Sequence, residues 1–193
     1  VAWTLASTPQ GTNRFPEATL MDSIDYGKNR ARLSWYNIEP VLQDKNSANN
    51  PLRRNLNELS DPRVRAVFTK ELFPQRTTNI TDVQTSTFDL SFYPTERGPY
   101  NFSRTTADLD ANGRLRNPRQ RWGGIMRNID QTDFETGNVE FVEFWVQNPF
   151  INIPASRGGK MYLNLGNISE DVLRDGKRFY ENGLPTPNQP SAI

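Results

Sequence analysis

The chain has 193 residues, 35% of them hydrophobic and 11% aromatic, enough to bury one sizeable core in a single domain with appendages. Lys and Arg total 23 against 22 Asp and Glu, and a net charge of +1 supplies no global field for nucleic acid or an anionic membrane. Cys and His are both absent, which removes disulfides, thiol nucleophiles, Cys/His zinc sites, Ser-His-Asp triads and imidazole acid–base chemistry.

No stretch approaches the roughly 20 apolar residues of a transmembrane helix, and the first ten residues lack the basic start and apolar run of a signal peptide. Because the chain begins with Val1, we expect a processed piece or an excised domain of something longer. Residues 1–29 carry the turn formers Pro9, Gly11, Pro16 and Gly27 between scattered apolar anchors and read as an ordered but irregular arm. From Arg30 to Ile38, Ala31, Leu33 and Trp35 alternate with Arg32, Ser34 and Tyr36, the pattern of a half-buried strand ending before Pro40.

Residues 43–61 are polar and read as a long loop. Ser60-Asp61-Pro62 then offers a helix start, with Val64, Val67, Phe68 and Leu72 at helical spacing. A second strand is expected over Thr87–Tyr93, stopped by Pro94, with a turn at Glu96–Tyr100 and another at Asp108–Gly113. Gly123-Gly124 beside Trp122 favours a close backbone approach or a bulge. Val139–Phe150 and Gly158–Gly166 read as two core strands joined by a glycine-rich turn, and Asn167–Tyr180 as a capped helix. Residues 184–193 form a Pro-rich tail, so the predicted layout is one β-sandwich domain over 30–183 between arm and tail. Its expected core includes Leu33, Phe88, Leu90, Phe92, Ile125, Val142, Phe144, Val146, Leu163 and Leu165.

Four groupings invite chemistry. Asp108, Asp110 and Asn112 before Gly113 match the first half of a calcium loop, but Arg119 stands where the bidentate Glu belongs; a polar turn wants the same residues for backbone reasons. Glu143 between Phe141 and Trp145, with Tyr162, Tyr93 and Trp122 as further rings, resembles a glycan platform or partner-binding face; the blander account is a central strand with Glu143 paired to an arginine. Glu135, Glu140, Glu143 and Asp133 could pair for glycoside hydrolysis only by chance of numbers, so no catalytic residue and no enzyme is expected. Arg114, Arg116, Arg119 and Arg121 read as a solvated or contact face, not a phosphate site. The sequons at Asn79, Asn101 and Asn167 matter only in a eukaryotic secretory pathway.

Six words occur in order: Trp3–Pro9, Glu96-Arg-Gly-Pro-Tyr-Asn101, Arg121-Trp-Gly-Gly-Ile-Met-Arg127, Thr132–Glu135, Glu143–Trp145, and Leu163–Val172 with Glu181–Pro185. Together they resemble the SprA/Sov family, the giant outer-membrane translocon of the type 9 secretion system in Bacteroidota, over nearly the whole chain. The resemblance implies a non-barrel segment of a much larger export protein, associated with the outer membrane and serving protein export and gliding motility. It also implies the remainder of that protein as partner, with a porin-like protein, a plug protein and secreted cargo in the same cycle, and no cofactor. A fainter likeness, from Arg121–Ile125 through Thr132–Glu135 and Val142–Val146 to Met161–Leu165, is to galactose-binding-like jelly rolls of carbohydrate-binding modules. It supports an antiparallel sandwich, so with the two helices read from the residue pattern the expected fold is mainly β, a jelly-roll-like sandwich with two peripheral helices; a carbohydrate-binding module is the alternative function.

Overall fold

The computed structural model describes residues 2–20, 23–76, 83–130, 133–166, 168–172 and 174. In chain order its strands are β1 (Thr4–Leu5), β2 (Ala31–Tyr36), β3 (Val67–Phe68), β4 (Gln84–Thr85), β5 (Asp89–Arg97) and β6 (Ile125–Met126). Its α-helices are α1 (Pro40–Gln43), α2 (Leu56–Ser60) and α3 (Thr69–Leu72), with 3-10 turns at Pro16–Thr19, Ile24–Gly27 and Pro118–Gln120. Three two-stranded sheets pair β1 with β6, β2 with β5 and β3 with β4; the first and third are antiparallel. The protein has few helices and short sheets.

Contacts divide the chain into two units. The first comprises Val1–Ser34, Ser91–Asn138 and Tyr162–Ile193, the second Trp35–Leu90 and Val139–Met161. In the first unit the arm is the centre: Leu5, Ala18, Tyr26 and Ala31 are buried with Leu115 and Val172, and so are the polar Ser7, Thr8, Glu17, Arg30, Asn101, Ser103 and Arg121. Three glycines, Gly27, Gly98 and Gly123, allow this packing. A Cβ at Gly27 would stand 2.0 Å from the Tyr100 carbonyl oxygen, and one at Gly123 would stand 2.7 Å from Leu33 Cβ. The glycine pair after Trp122 therefore marks a close approach, as its spacing predicts.

The second unit is held by local devices. Asn55 caps α2 by accepting from the Glu58 N–H. Asn50, fully buried, donates to the carbonyls of Leu42 and Asp44 and accepts from the Leu52 N–H. The helix predicted from Ser60 to Leu72 is not formed. Asp61 precedes proline, which disfavours the α region; it is extended and ends α2 instead of starting a helix. Beyond it Val67 and Phe68 enter β3, as β-branched and aromatic residues prefer, and α3 occupies only Thr69–Leu72.

Two further expectations are corrected. β5 runs through Pro94 to Arg97, because both strands of a two-stranded sheet are edges and a missing N–H there breaks no ladder. The strands predicted over Val139–Phe150 and Gly158–Gly166 are absent among the described residues, and with them the expected core. Phe88, Leu90, Phe92, Val142, Phe144, Val146, Leu163 and Leu165 are exposed, and Leu33 and Ile125 half-buried. A strand is buried only by a second layer over it, and no ladder forms along 139–166 to build one. The helix expected over Asn167–Tyr180 and the tail at 184–193 lie wholly or largely outside the described residues.

Candidate functional site

The most heavily constructed place in the first unit is a buried polar network at Glu17. Glu17 stands in the Pro16–Thr19 turn, whose leading proline presets the backbone. Both its oxygens are used: Oε1 accepts from Trp122 Nε1 at 2.8 Å and Oε2 from Asn29 Nδ2 at 2.9 Å. Asn29 Oδ1 in turn accepts from Arg121 Nη1 at 2.8 Å, and that arginine also donates to the carbonyls of Lys28 and Arg116. Its guanidinium lies 3.8 Å from Asp108 Oδ1.

Arg30, 1% exposed, lies 4.5 Å from the centre of the Trp122 ring and donates from Nη1 to the Ala6 carbonyl at 2.6 Å. Phe15 meets the same indole edge-on at 5.2 Å. Asn101 closes the group by donating to the Lys28 and Arg30 carbonyls. The network joins residues 6, 17, 29–30, 101 and 121–122, which are remote in sequence. Its carboxylate is buried and each oxygen accepts one hydrogen bond, so it ties the Pro16–Thr19 turn to Asn29 and Trp122 as a structural clamp.

Sequence reasoning missed Glu17, Asn29 and Arg30 as a centre. Periodicity gives no signal for a polar core, and the one available pointer was the clustering of Asn29-Arg30 and Arg121-Trp122 with unusual neighbours.

The residues singled out for binding fall elsewhere. Trp145 and Glu143 belong to the second unit; both are exposed, and Trp145 (61% exposed) meets Phe73 edge-on at 6.0 Å. Tyr93, Tyr162 and Trp122 belong to the first unit, and each carries its own arginine: Arg32 at 5.1 Å, Arg14 at 4.5 Å and Arg30 at 4.5 Å. Arg127 sits over Trp3 in the same way, at 5.4 Å. An arginine over a ring occupies a face that a sugar would use. Trp122 is half-buried, with Arg30 over its ring and its N–H held by Glu17.

The acidic turn is a backbone device. Asp110 Oδ1 accepts from the N–H groups of Asn112 (2.9 Å) and Arg114 (2.8 Å), and Asp108 Oδ2 accepts from Thr105 Oγ1 at 2.7 Å. Gly113 takes a φ of +74°, and Leu115 returns the chain to the core. Among the described residues no three acidic side chains gather as metal ligands. Arg114, Arg116 and Arg119 are exposed, whereas Arg121 is buried. Asn101 is held by its amide and closed to modification, and Asn79 and Asn167 lie outside the described residues.

The second unit offers an open depression of about 330 Å³ beside Asn50, Arg53 and Arg54, whose one buried side chain is already committed to backbone carbonyls. In the same unit, the Arg63 guanidinium and N–H hold the half-buried Asp61 carboxyl well below the usual carboxylate range, at about 2. Arg65 likewise lowers Glu71, to which it is directly paired. No helix of the described residues is long and apolar enough to cross a membrane. No protein-family profile matches this chain, and no curated protein matches it.

Proposed function

We propose that this chain is a structural and interaction domain of an SprA-type outer-membrane translocon of the type 9 secretion system, supporting protein export and gliding motility. The observation that carries the reading is where the resemblance words fall. Ala6, Gly98 and Asn101, and Arg121 to Gly124 belong to three of those words, and their backbone carbonyl, polar side chains and glycines pack the same buried centre. Words that fix a fold and hold no reactive group suit a scaffold. The finer architecture, a jelly-roll sandwich, belongs to the same proposal: it requires residues 139–147 and 160–165 to find ladder partners.

Sequencing the gene tests the reading. The expected result is a reading frame many times longer, with amphipathic barrel strands flanking this segment. A stand-alone frame of about this length refutes it, and so does normal export and gliding after the segment is deleted from the parent gene. One observation favours the alternative of a carbohydrate-binding module: Trp145 is an exposed ring beside the exposed Glu143. Calorimetry against a glycan panel decides it. Sub-millimolar binding lost in Trp145→Ala with the fold intact would establish that module, and flat titrations would remove it.

A further inference from the structure

Asn112-Gly113 is one of the chain's two Asn-Gly pairs; the other, Asn182-Gly183, lies outside the described residues. It stands at the tip of a hairpin within the first unit. There the Asp110 N–H donates to the Arg114 carbonyl at 2.9 Å, the Gly113 N–H donates to the Asp110 carbonyl at 3.1 Å, and Leu109 pairs antiparallel with Leu115. A glycine in the left-handed region closes the loop, as short hairpin connections require. The Asp110 carboxylate braces it, Oδ1 accepting from the Asn112 and Arg114 N–H groups.

What the brace leaves open is the Asn112 side chain. It is exposed, and its amide has no hydrogen-bond partner among the described residues. The next residue has no Cβ, and one placed there would meet nothing within 4 Å, so no other part of the fold covers this peptide. An asparagine amide carbon lies within reach of the following backbone nitrogen, and a side chain on that following residue is what ordinarily obstructs the approach.

We propose that Asn112-Gly113 is a site of spontaneous deamidation whose rate is restrained by the Asp110 turn. The Gly113 nitrogen gives its proton to solvent base and attacks Asn112 Cγ. As the new N–Cγ bond closes a cyclic imide, the Cγ–Nδ2 bond breaks, and Nδ2 leaves as ammonia with a proton returned from solvent. Water then opens the imide. Cleavage of the N–Cγ bond gives aspartate, whereas cleavage between that nitrogen and the Asn112 backbone carbonyl carbon gives isoaspartate, with the main chain rerouted through the side-chain methylene. Water is consumed and ammonia released, and no other reactant is needed.

Two features slow the step in the folded chain. The proton that must leave is held on the Asp110 carbonyl, and the two N–H groups on Asp110 Oδ1 fix the dihedral angles that must turn to bring Cγ onto the nitrogen. The consequence falls on Leu115, 3% exposed, whose N–H donates to the Thr95 carbonyl at 2.8 Å. An isoaspartate lengthens the loop backbone and so shifts the register that returns Leu115 to the core. The inference is independent of the export reading, since it concerns the chain's own chemistry.

The test is incubation of the full chain in mildly alkaline buffer, followed by mass-spectrometric peptide mapping and labelling of isoaspartate with isoaspartyl methyltransferase. Replacement of NH by O is expected at Asn112 several-fold faster than at Asn49 and Asn128, which are also exposed and outside helices and strands but precede Asn50 and Ile129. A rate at Asn112 no greater than at those two overturns the site. Asp110→Ala should speed the conversion several-fold, and so should unfolding the unaltered chain in urea. A folded-chain rate equal to that in urea, or unchanged in a folded Asp110→Ala variant, overturns the restraint. The isoaspartyl fraction should melt below Asn112→Asp, which carries the same charge on an unaltered backbone; equal melting would remove the consequence at Leu115.

Discussion

Replacing Glu17 with alanine is the sharpest test of the buried network. Glu17 is 1% exposed and accepts from Trp122 Nε1 at 2.8 Å and Asn29 Nδ2 at 2.9 Å. Removing the carboxylate leaves two buried donors without acceptors, each costing about 1–3 kcal/mol. Together the two orphaned donors put the loss at about 2–6 kcal/mol. Against a typical total of about 5–15 kcal/mol, that is a large share of the stability of a domain. Glu17→Gln keeps one acceptor but points an amide at a second donor, so about half that loss is expected, on the order of 2 kcal/mol. Urea unfolding followed by tryptophan fluorescence measures both, with the midpoint falling and the slope unchanged. Trp122→Phe, which deletes only the indole donor, should be non-additive with Glu17→Gln by about 0.5–3 kcal/mol, because the two share one hydrogen bond. A loss below about 1 kcal/mol for Glu17→Ala would mean that water reaches the carboxylate, and the clamp would have to be abandoned.

Gly27→Ala should cost more than Gly113→Ala in the same assay. The first drives a Cβ to 2.0 Å from the Tyr100 oxygen, whereas the second meets open space and bears only the αL penalty of about 1–2 kcal/mol. Asp110→Ala should lose about 1 kcal/mol with or without millimolar calcium, since its carboxylate caps two backbone N–H groups. A melting temperature raised by calcium, and no longer raised after this change, would restore the cation reading. NMR titration should place the Asp61 carboxyl near 2, and Arg63→Ala should raise it toward the ordinary aspartate value. A native pKa below the unfolded one gives stability that is present above the unfolded pKa and lost as pH falls through the native value. The partner Arg63 is exposed, so salt should shrink that contribution, and a salt-independent acid transition would contradict it.

What the sequence disclosed depended on the range of the signal. The strand at Ala31–Tyr36 was legible from alternation, the turn at Asp108–Gly113 from its Asp, Asn and Gly, and the approach at Gly123 from paired glycines, because each is decided within a few residues. The helix after Ser60 failed for an equally local reason, the effect of Pro62 on Asp61, outweighed in the reading by apolar spacing. Burial was a different matter. Phe88, Leu90 and Val142 are strand-like and apolar, yet exposure is set by what lies over them, which no local pattern encodes.

The same distinction explains why the site was misplaced while its words were noticed. Trp122 has the composition of a binding aromatic, and what removes it from that role is Arg30 over its ring and Glu17 at its N–H, partners from 92 and 105 residues away. Trp145 has the same composition with only an edge contact to Phe73, so it keeps an open face. Two tryptophans that both read as binding rings thus divide into one that holds the fold and one that is presented. Substitution at Trp122 should therefore register in stability first, and at Trp145 in association or ligand binding at constant stability. If Trp145→Ala proved as destabilising as Trp122→Ala, Trp145 would be part of the folded core and would offer no open face.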